Sequence, residues 1–196
     1  MSFRAIPNAV IFDKIDGSNI RVEWAGPKKG WTKFGTRNQL LDESDPVFGV
    51  VPQIFHERWG EALSRIACDE RIDRGVFFFE FWGDSSFAGL HSPDDEKRLT
   101  LIDVSVHKRG IMGPHEFLKT FDGKVQTPNL ISIQNWTREF VEQVWRGEPE
   151  GITFEGVVAK GGTGHDLVMA KAKTEAWIEK VRAQFDEGEA ERLVNS

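Results

Sequence analysis

Four short runs of the chain hold the residues best suited to chemistry. Lys14 lies in KIDGSN, between an apolar run and Asp-Gly-Ser-Asn. A turn of that composition presents the amine, with Gly17 allowing close approach of a ligand and Ser18 and Asn19 offering hydrogen bonds. An amine of pKa about 10.4 attacks only where burial or neighbouring cations deprotonate it, so other lysines should stand nearby. Taken alone, the segment also reads as an ordinary turn lysine paired with Asp16. Glu80 lies inside VFFFEFWG, where an ionised carboxylate needs a partner unless a strand edge exposes it to water. In EGVVAK, Glu155, Val157 and Ala159 alternate with Gly156, Val158 and Lys160 across a strand, so one face could offer Glu155 to a metal. Lys171 and Lys173, two apart in KAK, point the same way on a strand. They repel unless an anion or solvent relieves them.

The elements that must position these groups are read from periodicity. An apolar run, Ala9 to Phe12, is followed by Ile20, Val22 and Trp24 alternating with Arg21 and Glu23, which predicts strands with one buried face in the second. Residues Pro52 to Cys68 carry Ile54, Phe55, Trp59, Leu63 and Ile66 at helical spacing, with Pro52 in the first turn. After Gly75, Val76, Phe78, Glu80 and Trp82 share one side of a strand and Phe77, Phe79 and Phe81 the other. A loop from Asp84 to Arg98 leads to a strand, Leu99 to His107. Short helices follow at Pro114 to Thr120 and Thr137 to Trp145. Strands Ile152 to Lys160 and Leu167 to Lys173 form a hairpin through GGTGHD. Thr174 caps a last helix whose Trp177, Val181 and Phe185 pack back on the domain.

Composition bounds the class. The 196 residues, 39% apolar with 19 glycines, fit one globular domain. No apolar stretch approaches the roughly 20 residues of a bilayer span, and Pro7 and Asn8 interrupt the place where a signal peptide would be apolar. The chain reads as cytoplasmic, with no membrane partner. Its one cysteine, Cys68, excludes a disulfide framework and a cysteine-based zinc site, and reads as helix packing. His56, His91, His107, His115 and His165 show no metal-ligand spacing and read as structural or surface residues. The net charge of −6 divides into +4 over residues 1–41 and −10 over the rest. Lys28, Lys29, Lys33 and Arg37 surround a Pro-Lys-Lys-Gly turn there, which by itself reads as a solvated hairpin.

The order KIDGSN, FEFWG, EGVVAK, KAK resembles motifs I, III, IV and V of the covalent nucleotidyltransferases, the superfamily of ATP-dependent DNA and RNA ligases and mRNA capping enzymes. The Ser-Asn after KIDG looks most like the phage-type RNA ligases of the second class. The resemblance implies that Lys14 attacks the α-phosphate of ATP to form a lysyl-adenylate. Glu80 would contact the ribose or organise the site, and Glu155 would hold Mg2+ or Mn2+. Lys171 and Lys173 would grip the phosphates and lower the pKa of Lys14. Ile15, Asp16 and Gly17 belong to the nucleotide-binding motif, Asn19 resembles a residue used in sealing, and Arg37 occupies the place of an arginine that contacts substrate phosphate or the RNA end.

Two departures accompany the resemblance. Relatives have an aromatic residue before an Asp in the strand matching LTLIDVSV, where it stacks on adenine; here Ile102 precedes Asp103, and Val157 or Val158 would cover the other face of the base. Only 23 residues follow Lys173, where most relatives append an OB-fold or helical domain. The expectation is therefore a single α+β nucleotidyltransferase (ATP-grasp-like ligase) domain over residues 1–196, with antiparallel sheets enclosing a nucleotide cleft, flanking helices and a helical tail at 174–196. It would be a monomeric ATP-dependent RNA ligase joining 5′-phosphate and 3′-hydroxyl ends at RNA ends or nicked duplex, with a partner protein supplying a clamp. The alternatives are a nick-sealing DNA ligase, a GTP-using nucleotidyltransferase and a silent nucleotide- or nucleic-acid-binding module.

Overall fold

The computed structural model describes residues 4–42, 44–84 and 94–195. Residues 85–93 of the loop expected between Asp84 and Arg98, His91 among them, lie outside the described residues. The chain opens with strands β1 (Ile6–Lys14), β2 (Ser18–Trp24) and β3 (Trp31–Thr36), then helices α1 (Val51–Phe55) and α2 (Glu61–Asp69), joined by a π-turn at His56–Gly60. Strands β4 (Gly75–Trp82), β5 (Arg98–Val106) and β6 (Gly110–Ile111) precede α3 (Pro114–Phe121), β7 (Leu130–Trp136) and α4 (Arg138–Trp145). The last part holds β8 (Gly156–Gly161), β9 (Val168–Lys173), α5 (Glu175–Gln184) and α6 (Glu187–Val194). No helix among the described residues is long and apolar enough to cross a membrane.

The strands form two antiparallel sheets, in the orders β7-β1-β8-β9 and β3-β2-β4-β5-β6. Alternation decides which face of the second sheet is buried. Ile20, Val22, Phe77, Phe79, Leu99 and Leu101 point into the main core against Phe55 and Leu63 of the helical stretch. The helix expected over Pro52 to Cys68 is there, with Pro52 in its first turn. Strand β1, central in its sheet, is buried on both sides, which is why its apolar run does not alternate. Val10 and Phe12 join the main core, with Phe12 edge-on to Phe117 of α3 at 6.1 Å. Ala9 and Ile11 face a second core with Phe140 and Val144 of α4.

Several expectations change. The strand predicted from Ile152 starts at Gly156, because the backbone N–H of Thr153 donates to Asp13 Oδ1 at 2.9 Å instead of to a neighbouring strand. Strand β7 was not foreseen; its sequence, LISIQNW, is exposed or half-buried up to Trp136 and pairs with β1 from more than a hundred residues away. Cys68 is exposed rather than packed. The other four histidines are exposed, as expected. Thr174 caps α5 by accepting from the Trp177 N–H at 3.2 Å, and Trp177 and Val181 pack with Ala190 of α6 and with Phe185 and Phe154 in a third small core.

Candidate active site

Lys14 ends β1, where the chain leaves the four-stranded sheet for β2 of the other. Its turn is tight: a Cβ at Gly17 would lie 2.4 Å from the Phe81 carbonyl oxygen and 3.0 Å from Glu80 Cγ. The close approach that Gly17 permits is thus to the end of β4 rather than to a ligand, and it brings the Lys14 turn beside Glu80. Asp16 in the same turn is buried. The ion pair of Lys14 is with Glu155, Nζ to Oε2 at 2.6 Å, not the local pairing with Asp16 that the turn alone suggested.

Glu155 stands just before β8 rather than on it, and two devices fix it there. Asp13 accepts from the Thr153 N–H and hydroxyl, both at 2.9 Å, tying the approach segment to the back of β1. Gly156 then adopts φ +143°, and a Cβ there would sit 2.0 Å from the Ala172 carbonyl oxygen, so the Glu-Gly step needs glycine. The Glu155 carboxylate is buried, which pushes its pKa up; Lys14 and then Lys173 offset part of that. Asp13 was not singled out in the sequence, and nothing in its own segment would have distinguished it from a turn acid.

Register places the lysines. Lys14 pairs with Gly156 and that with Lys173, while Phe12 pairs with Val158 and that with Lys171, so Lys14, Lys171, Lys173 and Val158 share one face. The two KAK lysines nevertheless have different surroundings. Lys173 Nζ donates to the Leu193 carbonyl at 2.6 Å, lies 3.5 Å from Glu155 Oε1 and sits 4.3 Å from the Trp177 ring centroid, so it secures Glu155 and the terminal helices. Lys171 is exposed as a residue, and its pKa is lowered by partial burial and then by Lys14. Arg37, also exposed, is close enough to add to that effect. Val157 faces the opposite way: it is fully buried in the second core beside Ile11 and Val144 and cannot cover a base in this cleft. Of the pair Val157 and Val158, only Val158 faces Lys14.

The other wall comes from the five-stranded sheet. Glu80 pairs with Asn19 on β2 and with Thr100 on β5, so these share its face. Burial pushes the Glu80 carboxyl up to about 7; Lys14 lowers it, and Glu155 and Asp16 raise it further. The alternative of a water-exposed edge carboxylate is therefore set aside. Ile102 lies at a bulge, where Phe78 pairs with Asp103 and Phe79 with Leu101. Asp103, which the resemblance put in the nucleotide-binding motif after Ile102, is instead engaged within the protein: Lys160 of β8 donates to its Oδ1 at 2.7 Å and to the Ile102 carbonyl at 2.8 Å. This pair joins the two sheets at the base of the cleft. Sequence alternation had made Lys160 merely the last residue of a strand.

Lys14, Glu80, Glu155, Lys171 and Lys173 thus converge from four separate segments. Beside Lys14, a recess of about 480 Å³ is lined by Asp13, Ile15, Asp16, Trp82, Asn129, Thr153 and Phe154, among others. The Trp82 Nε1–H donates to Thr100 Oγ1 at 2.8 Å. Three lysines and the carboxylates of Glu80, Glu155 and Asp16 thus share one cleft, with Lys14 as its nucleophile candidate.

No protein-family model matches the chain, and no curated protein sequence does. Solved structures of the Naegleria gruberi RNA ligase do match it in three dimensions. A variant with ATP and Mn gives a TM-score of 0.61 at 16% identity, over 89% of this chain and 52% of that one. An apo variant gives 0.64 at 16% identity, over 91% and 52%. The form with PPi gives 0.58 at 16% identity, over 91% and 52%. The chain spans about half the length of these ligases. What the comparison shows is the fold: an α+β chain of two antiparallel sheets with flanking helices, arranged as in the nucleotidyltransferase domain of an RNA ligase.

Proposed function

We propose that the protein is an ATP-dependent RNA ligase working through a covalent lysyl-adenylate on Lys14. The observation that carries the reading is the meeting of Lys14 with Glu155, beside Glu80 and Lys171, in a fold shared with a ligase solved with ATP and Mn. In the first step the Lys14 amine, released from Glu155 and deprotonated, attacks the α-phosphorus of ATP. A P–N bond forms, the bond to pyrophosphate breaks, and the amine proton passes to solvent. A 5′-phosphate oxygen then attacks the same phosphorus and frees Lys14, and a 3′-hydroxyl finally displaces AMP. Splitting the condensation in this way replaces one hard step by easier ones.

Lys171, with Arg37 near it, would take charge developing on the phosphates. Lys173, committed to Glu155 and the Leu193 carbonyl, is a positioning residue instead. Glu155 would hold a divalent cation, which would neutralise phosphate charge. Among the described residues no three His, Cys, Asp or Glu side chains are gathered as a metal cage. One buried carboxylate completed by nucleotide phosphates is the manner in which Mg2+ is usually held, so the donor set fits. Asn19, exposed beside Glu80, would meet the incoming RNA end.

The test is incubation with ATP labelled at the α-phosphate and Mg2+, followed by denaturation. Label should stay on the wild-type protein and be lost in Lys14→Ala. Retention of label by that variant would remove Lys14 as nucleophile. Competition by GTP, and parallel sealing of nicked RNA and DNA, assign the nucleotide and the strand.

A further inference from the structure

We propose that the open face of the five-stranded sheet guides a polynucleotide strand away from the Lys14 cleft, with Arg21 and Phe78 midway and Lys29 and Arg74 gripping phosphates at the far end. Residues opposite each other in antiparallel strands share a face. Asn19, Arg21 and Glu23 on β2 are therefore on the same side as their partners Glu80, Phe78 and Val76 on β4. On β2 and β4 the reverse side is the main core, whereas this side is half-buried or exposed along its length; on β5 the same side carries Asp103, opposite Phe78 and neutralised by Lys160. From Glu80 to Val76 is four residues, about 13 Å at about 3.3 Å each. That distance corresponds to about four stacked nucleotides.

At the Val76 end the face opens into a groove of about 510 Å³ whose lining includes Glu23, Lys29, Lys33, Arg74 and His107. Glu23 is its one carboxylate, and Lys33 already neutralises it at 3.0 Å. Lys29 and Arg74 are exposed, and Arg74 touches only the His107 ring among the groove's ionisable groups, at 2.8 Å. On a chain of net charge −6 this is a local reversal, suited to a polyanion. Midway, the Arg21 guanidinium lies across Gly35, where a Cβ would come 2.9 Å from Nε, and that Nε is buried without a hydrogen-bond partner. Opposite it stands half-buried Phe78. The Arg21 guanidinium, leaning over β3, and the Phe78 ring on β4 are two flat groups on one face of the sheet, of the kinds on which unpaired bases stack. An acidic peptide would use the cations and leave those flat groups idle, so a nucleic-acid strand is the better occupant.

The inference rests on the ligase reading, which puts the strand's reactive end at Lys14. It is tested with the full chain and dye-labelled, 5′-phosphorylated single-stranded RNA, by anisotropy over a range of salt, with self-adenylylation measured in parallel. The double variant Lys29→Gln/Arg74→Gln should weaken binding about tenfold and reduce the slope of log affinity against log salt by about 1.4. Phe78→Ala should weaken it several-fold with the slope unchanged, and all variants should take up label from ATP as the wild type does. Unchanged affinity and slope in the double variant, or no RNA binding by the wild type, overturns the track. Equal displacement of RNA by polyglutamate also overturns it, in favour of an acidic protein partner. Absence of labelling in the wild type, with RNA binding still dependent on Lys29 and Arg74, overturns the ligase reading alone.

Discussion

Glu80 titrates where a cell operates. Its carboxyl is pushed up to about 7 by burial, with Lys14 opposing and Glu155 and Asp16 adding to the rise. A carboxyl whose folded pKa exceeds its unfolded value binds protons more tightly when folded, so its contribution to stability is complete below about 4.5 and is lost as pH climbs to about 7. Glu80→Gln removes that loss. Urea unfolding should find the variant gaining on the wild type as pH rises from 4.5 to 7, by at most about 3 kcal/mol, at about 1.4 kcal/mol per pH unit, and no further above 7.5. A constant difference across the range would mean that Glu80 ionises normally. Glu80 was legible in the sequence because a carboxylate among phenylalanines contradicts its surroundings, and Lys14 because a glycine turn follows it. Asp13 and Lys160 were not, since each looks ordinary until its partner across the fold, Thr153 or Asp103, is known.

At the scale of elements, the segments of the candidate site are held by local backbone choices that a motif only hints at. Gly156 is the clearest case, because φ +143° and the Ala172 carbonyl 2.0 Å from a would-be Cβ forbid any side chain at the start of β8. Gly156→Ala should force β8 away from β9, costing ~3 kcal/mol or more, and should move Glu155 away from Lys14. A thermal scan would show the first effect, and loss of ATP labelling under conditions where the variant remains folded would show the second; a variant with wild-type melting refutes the constraint. The helix over residues 51–69 and the alternating faces of β2 and β4 could be read directly, because one side of each packs on the core and the other does not. Strand β7 escaped notice because it is an edge whose partner is distant and whose burial hardly alternates. The Val157 assignment failed for a related reason: alternation gives two faces but not which of them meets the cleft, and α4 decides that by packing on Val157.

For the whole molecule, the two sheets must be held at a fixed opening if groups from both are to meet one ligand. Lys14, Glu155 and Lys171 are carried by the first sheet and its approach segment, and Glu80 and Asn19 by the second. Along β1, Lys14 lies about 13 Å from Val10 at about 3.3 Å per residue, and Val10 is the partner of Lys160. The Lys160–Asp103 pair therefore acts at the far end of the cleft from Lys14. Its ammonium is nearly buried, lies 5.3 Å from the Phe12 ring centroid and 5.9 Å from that of Phe117, and has an aspartate and a carbonyl oxygen as acceptors. Burial raises the pKa of Asp103, with Lys160 pulling it back, so neither partner tolerates losing the other. Lys160→Met alone should cost ~3 kcal/mol, because Asp103 is left without its cation. Lys160→Met with Asp103→Leu should recover most of that, to within about 1 kcal/mol of wild type, since an apolar pair fills the same space. If the pair also sets the opening between the sheets, the double variant will unfold at nearly wild-type urea yet take up ATP label more slowly. A double variant that labels at the wild-type rate would reduce the pair to a stabilising contact. A single variant within about 0.5 kcal/mol of wild type would mean that the sheets are held by the core around Phe12 and Phe117 alone.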